Sequence, residues 1–229
     1  MSPIPTLYSA PESGNSYKAR LLIALLKLDV RIVDVDLEVS SDLRNDEQHT
    51  EWFLKINPRG EVPVLVDGEV TLGDSSAVLV WLAGKAGSRF WSGDVGEQAG
   101  IVQWLAFANS WIQFGVFTNR AILSYNGPYN GLGTNASWTA EQIQTFLQEG
   151  AVRGNKSLAI LQQHLEGEDW LVLGRPTIAD VSVFVYVALA PMGDISLEPY
   201  PAVGRWIGRI KGLEGFVGIV GLEDPMVRR

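Results

Sequence analysis

Polar and apolar positions trace alternating strand and helix patterns over residues 1–86. Thr6-Leu7-Tyr8 is a short β pattern, followed by a Pro/Ser/Gly turn at residues 11–14. A mostly apolar helix is expected over residues 16–28. In residues 30–37, Ile32, Val33 and Val35 are interleaved with Arg31, Asp34 and Asp36; this alternation, rich in β-branched residues, predicts a strand. Residues 41–54 are polar up to Trp52, Phe53 and Leu54, and predict an irregular helix. Two short β patterns, 62–66 and 69–72, flank Asp67-Gly68, a hairpin signal. Asp74-Ser75 then precedes an apolar helix over 77–86 and is placed to cap it. The predicted order is β-α-β-α-β-β-α.

The pattern changes after Gly87. Residues 87–96 form a glycine-dotted linker. From Glu97 the period is helical, with Val102, Leu105, Ala106, Asn109, Ile112 and Gln113 three or four apart. Residues 126–135 carry Gly127, Pro128, Gly131 and Gly133, which predicts a loop. A second long helix is expected over 139–165, with Ile143, Leu147, Ala151, Leu158 and Leu161 on one side. Thr177-Ile178-Ala179-Asp180 has the form of a capping box, Asp standing in for Glu, ahead of an apolar helix ending near Pro191. An amphipathic helix over 200–213 opens at Pro201. The fold class is therefore α/β plus all-α: a small α/β domain, 1–86, and an all-helical domain, 94–229.

Composition narrows the function. Of 229 residues 46% are hydrophobic and 19% charged, which suits a packed core and excludes a disordered chain. A net charge of −8 without a long basic run argues against nucleic acid, whose phosphates demand Lys and Arg. The chain has no cysteine, hence no disulfide, thiolate metal site or cysteine nucleophile. Two histidines, His49 and His164, leave little for a metal site or a Ser-His relay, and no metal is expected. His164, beside Glu166, reads as a surface residue facing a helix dipole. The apolar runs 21–26 and 181–189 are too short for a signal peptide or a membrane span, so a cytoplasmic protein with no membrane partner is expected.

Three segments carry candidate chemistry. Pro63 in Glu61-Val62-Pro63-Val64 removes a ladder donor. A cis Val62–Pro63 bond would turn the Val62 N–H and C=O outward, free to pair with a peptide ligand laid alongside; a trans edge proline is the plain alternative. Asp74-Ser75 combines a carboxylate, a hydroxyl and helix N-terminal N–H groups, a set suited to the ammonium and carboxylate of an α-amino acid. A simple N-cap is the alternative there. Ser13-Gly14-Asn15-Ser16 lies between the first strand and first helix, where open α/β sheets hold ligands. Its hydroxyls and amides could stabilise a thiolate or an oxyanion, or merely form a cap and turn.

These strings resemble those of cytosolic glutathione transferases, bacterial and fungal members in particular. The opening, Leu7-Tyr8-Ser9 through Ser13-Gly14-Asn15-Ser16-Tyr17-Lys18-Ala19-Arg20-Leu21-Leu22, is similar to theirs. Phe53-Leu54-Lys55-Ile56-Asn57-Pro58-Arg59-Gly60-Glu61-Val62-Pro63-Val64-Leu65 resembles the family's F-L-x-x-N-P-x-G-x-V-P-x-L segment. Gly73-Asp74-Ser75-Ser76-Ala77 resembles its [ED]-S-x-A-I segment, and Thr177 to Asp180 its T-x-A-D box. The resemblance implies an N-terminal thioredoxin-like domain with a C-terminal helical domain.

The resemblance further implies glutathione as co-substrate. Val62, preceding a cis Pro63, would pair with its cysteinyl backbone. Asp74 and Ser75 would hold its γ-glutamyl end, and Gln48 and His49 its glycyl carboxylate. Glu61 would turn away there, or be offset by Lys55 and His49. The thiol would be ionised by a serine-type or asparagine-type residue, with Ser13 and Asn15 the candidates and Ser16 beside them. Tyr8 resembles a strand tyrosine common in the family, not a catalytic one.

A small hydrophobic electrophile would sit between the domains against the first long helix. Asn109, Trp111, Gln113, Phe114 and Phe117 are the residues expected there, with Arg120 on the same stripe and Ile112 and Val116 in the core. Thr177 and Asp180 would be structural. The activity implied is conjugation in detoxification by a homodimer. The alternatives are a glutathione-dependent disulfide or peroxide reductase and a non-catalytic binding module.

Overall fold

A computed structural model describes residues 4–37, 47–125 and 138–227. The loop expected at 126–135 and the opening of the irregular helix at 41–54 lie outside the described residues. The chain divides into two compact units, one drawn from Met1–Ser92 with Leu213–Ile219, the other from Gly93–Gly212 with Val220–Arg229.

The first unit is the thioredoxin-like one. β1 (Thr6–Ser9), α1 (Gly14–Leu26) and β2 (Arg31–Asp34) form a βαβ unit whose strands run parallel, as a helical crossover allows. A short turn of helix at Glu47–His49 and α2 (Glu51–Leu54) lead to the hairpin β3 (Val64–Asp67) and β4 (Val70–Leu72), then α3 (Ser75–Lys85). The sheet order is β2-β1-β3-β4, with β1 and β3 antiparallel. Tyr8 pairs with Val64 and Leu7 with Leu65. Alternation therefore puts Tyr8 and Val64 on the face covered by Val35 and Phe53, and Leu7 and Leu65 on the other.

Element boundaries follow local chemistry. β3 begins at Val64, two residues later than its apolar run, because Pro63 has no N–H for the ladder. β2 stops at Asp34, within an apolar alternation that continues to Leu37, and all but one of its residues are exposed. α1 begins at Gly14 because the Ser13 side chain caps it, accepting from the Ser16 N–H. α3 begins at Ser75, where Asp74 Oδ1 accepts the N–H groups of Ser76 (2.9 Å) and Ala77 (3.1 Å). At the other end of the sheet, buried Asp67 accepts from Trp81 Nε1 at 2.9 Å and from Lys85 Nζ. These donors hold its carboxyl below the usual value.

The segment Leu213–Ile219, placed with the helical domain by sequence, packs in the first unit. The Tyr17 hydroxyl donates to Val217 O at 2.6 Å, and Lys27 pairs with Glu214 at 2.5 Å. Burial raises the Tyr17 phenol above its usual range.

The second unit holds α4 (Val95–Phe107), α5 (Val116–Tyr125), α6 (Ala140–Leu165), α7 (Ile178–Ala188) and α8 (Pro201–Lys211). Every residue of α7 is buried, which explains an apolar run with no polar face. Its capping box is complete: Asp180 accepts from the Thr177 N–H (2.9 Å), and Thr177 Oγ1 from the Ala179 N–H (3.2 Å). The same carboxylate accepts from Leu171 N (3.0 Å) and Trp206 Nε1 (2.9 Å). Burial raises the Asp180 carboxyl, against the pull of these donors. Thr177 and Asp180 are structural, as expected.

Two features depart from the helical pattern. The run from Glu97 to Arg120 is not one helix. A wider turn at Ala108–Ile112 carries a Gln113 N–H to Ala108 O bond of 3.1 Å, and Gly115 separates it from α5. The extra residue shifts the helical phase. His164 is also no free surface residue, because its Nε2 lies 2.9 Å from Leu171 O and its ring packs on Trp104 at 4.8 Å.

Candidate functional site

Strand register brings three of the sequence motifs to one end of the sheet. Continuing the β1–β3 register past Tyr8↔Val64 sets Ser9 opposite Pro63 and Ala10 opposite Val62. Continuing β3–β4 past Leu65↔Leu72 sets Pro63 opposite Asp74. The β1–α1 turn, the Val62-Pro63 pair and the N-terminus of α3 therefore share one edge.

That edge holds several uncommitted polar groups. The Val62–Pro63 bond is cis. Among the described residues, neither backbone group of Val62 is hydrogen-bonded. Asp74 caps α3 with Oδ1 alone, leaving Oδ2 without a hydrogen-bond donor among the described residues. The mostly buried Ser75 presents a hydroxyl with no described partner. Buried Lys18 of α1 is close enough to Asp74 to feel its charge. Burial pushes its ammonium down to about 8, against the opposing pull of Asp74.

The loop leading into Val62 is built by Asn57. Its Nδ2 donates to Glu61 O at 2.8 Å and its Oδ1 accepts from the Arg59 N–H at 3.2 Å. Arg59 also donates to Gly73 O at 2.5 Å, tying the loop to the residue before Asp74. Gly60 has φ +62, and a Cβ there would come within 2.8 Å of the His49 ring, so only glycine fits. Exposed His49 thus flanks the loop. Neighbouring Gln48 is buried, with Oε1 unpartnered among the described residues. Glu61 pairs with Arg59 Nε at 3.2 Å, whereas Lys55 pairs with Glu51 at 2.7 Å. The charge that offsets Glu61 is therefore the guanidinium of Arg59.

In the β1–α1 turn, Ser13 Oγ accepts from the Ser16 N–H and Ser16 Oγ from the Ala10 N–H, both at 3.2 Å. Ser16 is wholly buried. The side-chain amide of half-buried Asn15 has no hydrogen bond among the described residues.

Comparison with known proteins matches both units of the chain. Residues 7–90 fit the model of the glutathione S-transferase N-terminal domain, and residues 133–214 that of the C-terminal domain. The chain belongs to the glutathione S-transferase family. It is 39% identical over 227 residues to glutathione S-transferase Z1 of Arabidopsis thaliana, covering 96% of this chain and 92% of that one. It is 30% identical over 213 residues to the disulfide-bond oxidoreductase YfcG of Escherichia coli, with coverages of 90% and 89%. A glutathione S-transferase structure from Pseudomonas fluorescens superposes with a TM-score of 0.81 at 27% identity, covering 95% of this chain and all of the other.

For a member of this family, the helical unit presents a mixed surface. Trp111 and Phe114 are 48% and 63% exposed, and Trp111 stacks on Phe107 at 6.2 Å. Asn109 is exposed and Gln113 half-buried. Phe117, expected on the same wall, is instead buried against Tyr186 at 4.2 Å, and Arg120 is buried with it. Ile112 and Val116 are fully buried, as core positions. Sequence reading passed over Lys18, Arg20, Asn57 and Arg59 as functional or organising residues. Each stood inside a quoted string, but only its contacts reveal its part.

Proposed function

We propose that this family member conjugates glutathione to small hydrophobic electrophiles. The observation that carries this reading is the row of uncommitted groups at one sheet edge: the Val62 backbone, Asp74 Oδ2, Ser75 Oγ and the Asn15 amide. A γ-glutamyl tripeptide supplies a partner for each. Its backbone pairs with Val62, and its ammonium and carboxylate meet Asp74, Ser75 and the α3 N-terminus. Gln48, His49 and Arg59 are candidates for the glycyl end.

A free thiol has a pKa of ~8.5, so its thiolate is scarce at neutral pH. Donors at the start of α1 stabilise the charged form and lower that value. Ser13 and Asn15 are the candidate side-chain donors. The thiolate then attacks an electrophilic carbon and expels a leaving group or adds across an activated double bond. Exposed Trp111 and Phe114 suit an apolar co-substrate. A cytoplasmic homodimer belongs to the same reading.

A second reading, reduction of glutathione disulfides or peroxides, draws support from the open Asn15 amide and from the similarity to a disulfide-bond oxidoreductase. Turnover of a chlorodinitrobenzene-type electrophile against that of a bis-glutathionyl disulfide separates the two. Glutathione binding with neither turnover points to a binding module. No binding and no turnover overturns all three.

A further inference from the structure

We propose that Arg20 is a positioning residue that holds the thiol-ionising turn in shape through a forked contact to three consecutive residues. Its Nη1 donates to Ser9 Oγ (2.7 Å) and Ala10 O (2.6 Å), and its Nη2 to Pro11 O (2.5 Å). Nothing in the conjugation chemistry requires a cation here, and Arg20 lies on α1, outside the turn itself. The inference rests on the reading that glutathione's sulfur meets Ser13 or Asn15.

The start of the turn needs such a contact because its backbone is dry. Ser9 and Ala10 are both 0% exposed, so their polar groups must be satisfied by protein. Ser9 O accepts the Val35 N–H at 2.8 Å, and the Ala10 N–H is taken by Ser16 Oγ. The Ser9 hydroxyl and the Ala10 carbonyl are left to Arg20. The Ala10 carbonyl is also the acceptor that closes the turn, receiving the Ser13 N–H at 3.2 Å. Arg20 thus grips the anchor from which Ser13 hangs, and Ser13 in turn caps the helix that carries Asn15.

A planar guanidinium can span adjacent carbonyls in a way a point ammonium cannot. Asp34 and Glu12 act on the charge of Arg20 and help keep it in place. A displaced anchor would leave every residue of the site present but mis-aimed, and small errors of aim are costly in a site that works by orientation.

The test compares the full-length protein with Arg20→Lys and Arg20→Met, using two readouts. Backbone hydrogen exchange over residues 10–16 is followed in the ligand-free protein. The thiol pKa of bound glutathione is then titrated by the ultraviolet absorbance of its thiolate. Both variants are expected to speed exchange in the turn by about tenfold, the effect of losing a charged hydrogen bond, with α7 unchanged. Both are also expected to raise the bound thiol pKa. An Arg20→Lys protein that matches wild type in exchange overturns the proposal, because charge alone then suffices. So does faster exchange with an unchanged thiol pKa, because Arg20 then serves stability only. A wild-type protein that binds no glutathione sinks the functional reading and removes any thiol for the turn to ionise. Exchange still reports separately whether the fork holds the turn.

Discussion

Ser13 Oγ accepts the Ser16 N–H at 3.2 Å, so one of its lone pairs is committed to capping α1 while its proton stays available to a ligand. Asn15, two residues along, caps nothing among the described residues. The two candidates for thiol activation therefore have separable signatures. Ser13→Ala is expected to cost about 1 kcal/mol of stability through the lost cap, whether or not it touches sulfur. Asn15→Ala should leave stability almost unchanged. One of the two should also shift the pH dependence of kcat/KM to higher pH. Denaturant melts and pH–rate profiles of both variants check this, and unchanged profiles in both would remove each from the role.

The Asp67 carboxyl is held down by Lys85 and Trp81, so its folded pKa lies below its unfolded one. Its contribution to stability is then complete above the unfolded value near 4 and fades as pH falls through the folded value. Asp67→Asn is expected to lose about 1–2 kcal/mol at neutral pH, with the gap from wild type closing in acid. Urea midpoints from pH 7 down to pH 3 measure it.

Lys18 gives the opposite dependence. Burial lowers its ammonium to about 8 from 10.5, so the cost of burying the charge is complete below about 8 and relieved by 10.5. Lys18→Met is expected to stabilise the protein by up to about 3 kcal/mol at pH 7 and by little near pH 10. Because Asp74 loses a neighbouring positive charge, glutathione's ammonium should also bind more tightly. Paired melts and calorimetry at the two pH values decide both statements.

Gly115 sits where a Cβ would approach Gly154 N and Trp111 O to 2.8 Å, and neither backbone can retreat cheaply. Gly115→Ala is expected to destabilise the protein by about 2 kcal/mol, in the range of overpacked cores. A fall in Tm measures it. An unchanged Tm would mean that the helices part without cost.

Much of this architecture was legible in the pattern of residues. The element order, the capping residues Ser13, Asp74 and Thr177, and the apolar α7 all declare themselves through local chemistry. Trp111 and Phe117 show where that legibility ends. Both are expected on one apolar wall by residue type, but six residues along a helix put them about 120° apart, and Trp111 is exposed while Phe117 is buried; the wide turn at Ala108–Ile112 shifts the phase further. Periodicity assumes a constant turn and carries no sign of an inserted residue. Arg20 and Arg59 were hidden for another reason. Each acts on carbonyls, and a carbonyl has no letter in the sequence. Lys18 is hidden too, since nothing in its string marks its burial beside Asp74.

The bond from the Tyr17 hydroxyl to Val217 O has a consequence for biosynthesis. The first unit is written in two pieces, and its last strip, Leu213–Ile219, is made only after Gly93–Gly212 of the second unit. During translation the sheet and its helices can gather early, but the Tyr17 hydroxyl must wait for an acceptor encoded two hundred positions downstream. A nascent thioredoxin-like unit is therefore unfinished while the ribosome is still synthesising the helices. Its completion reports that α4 to α8 have already been made.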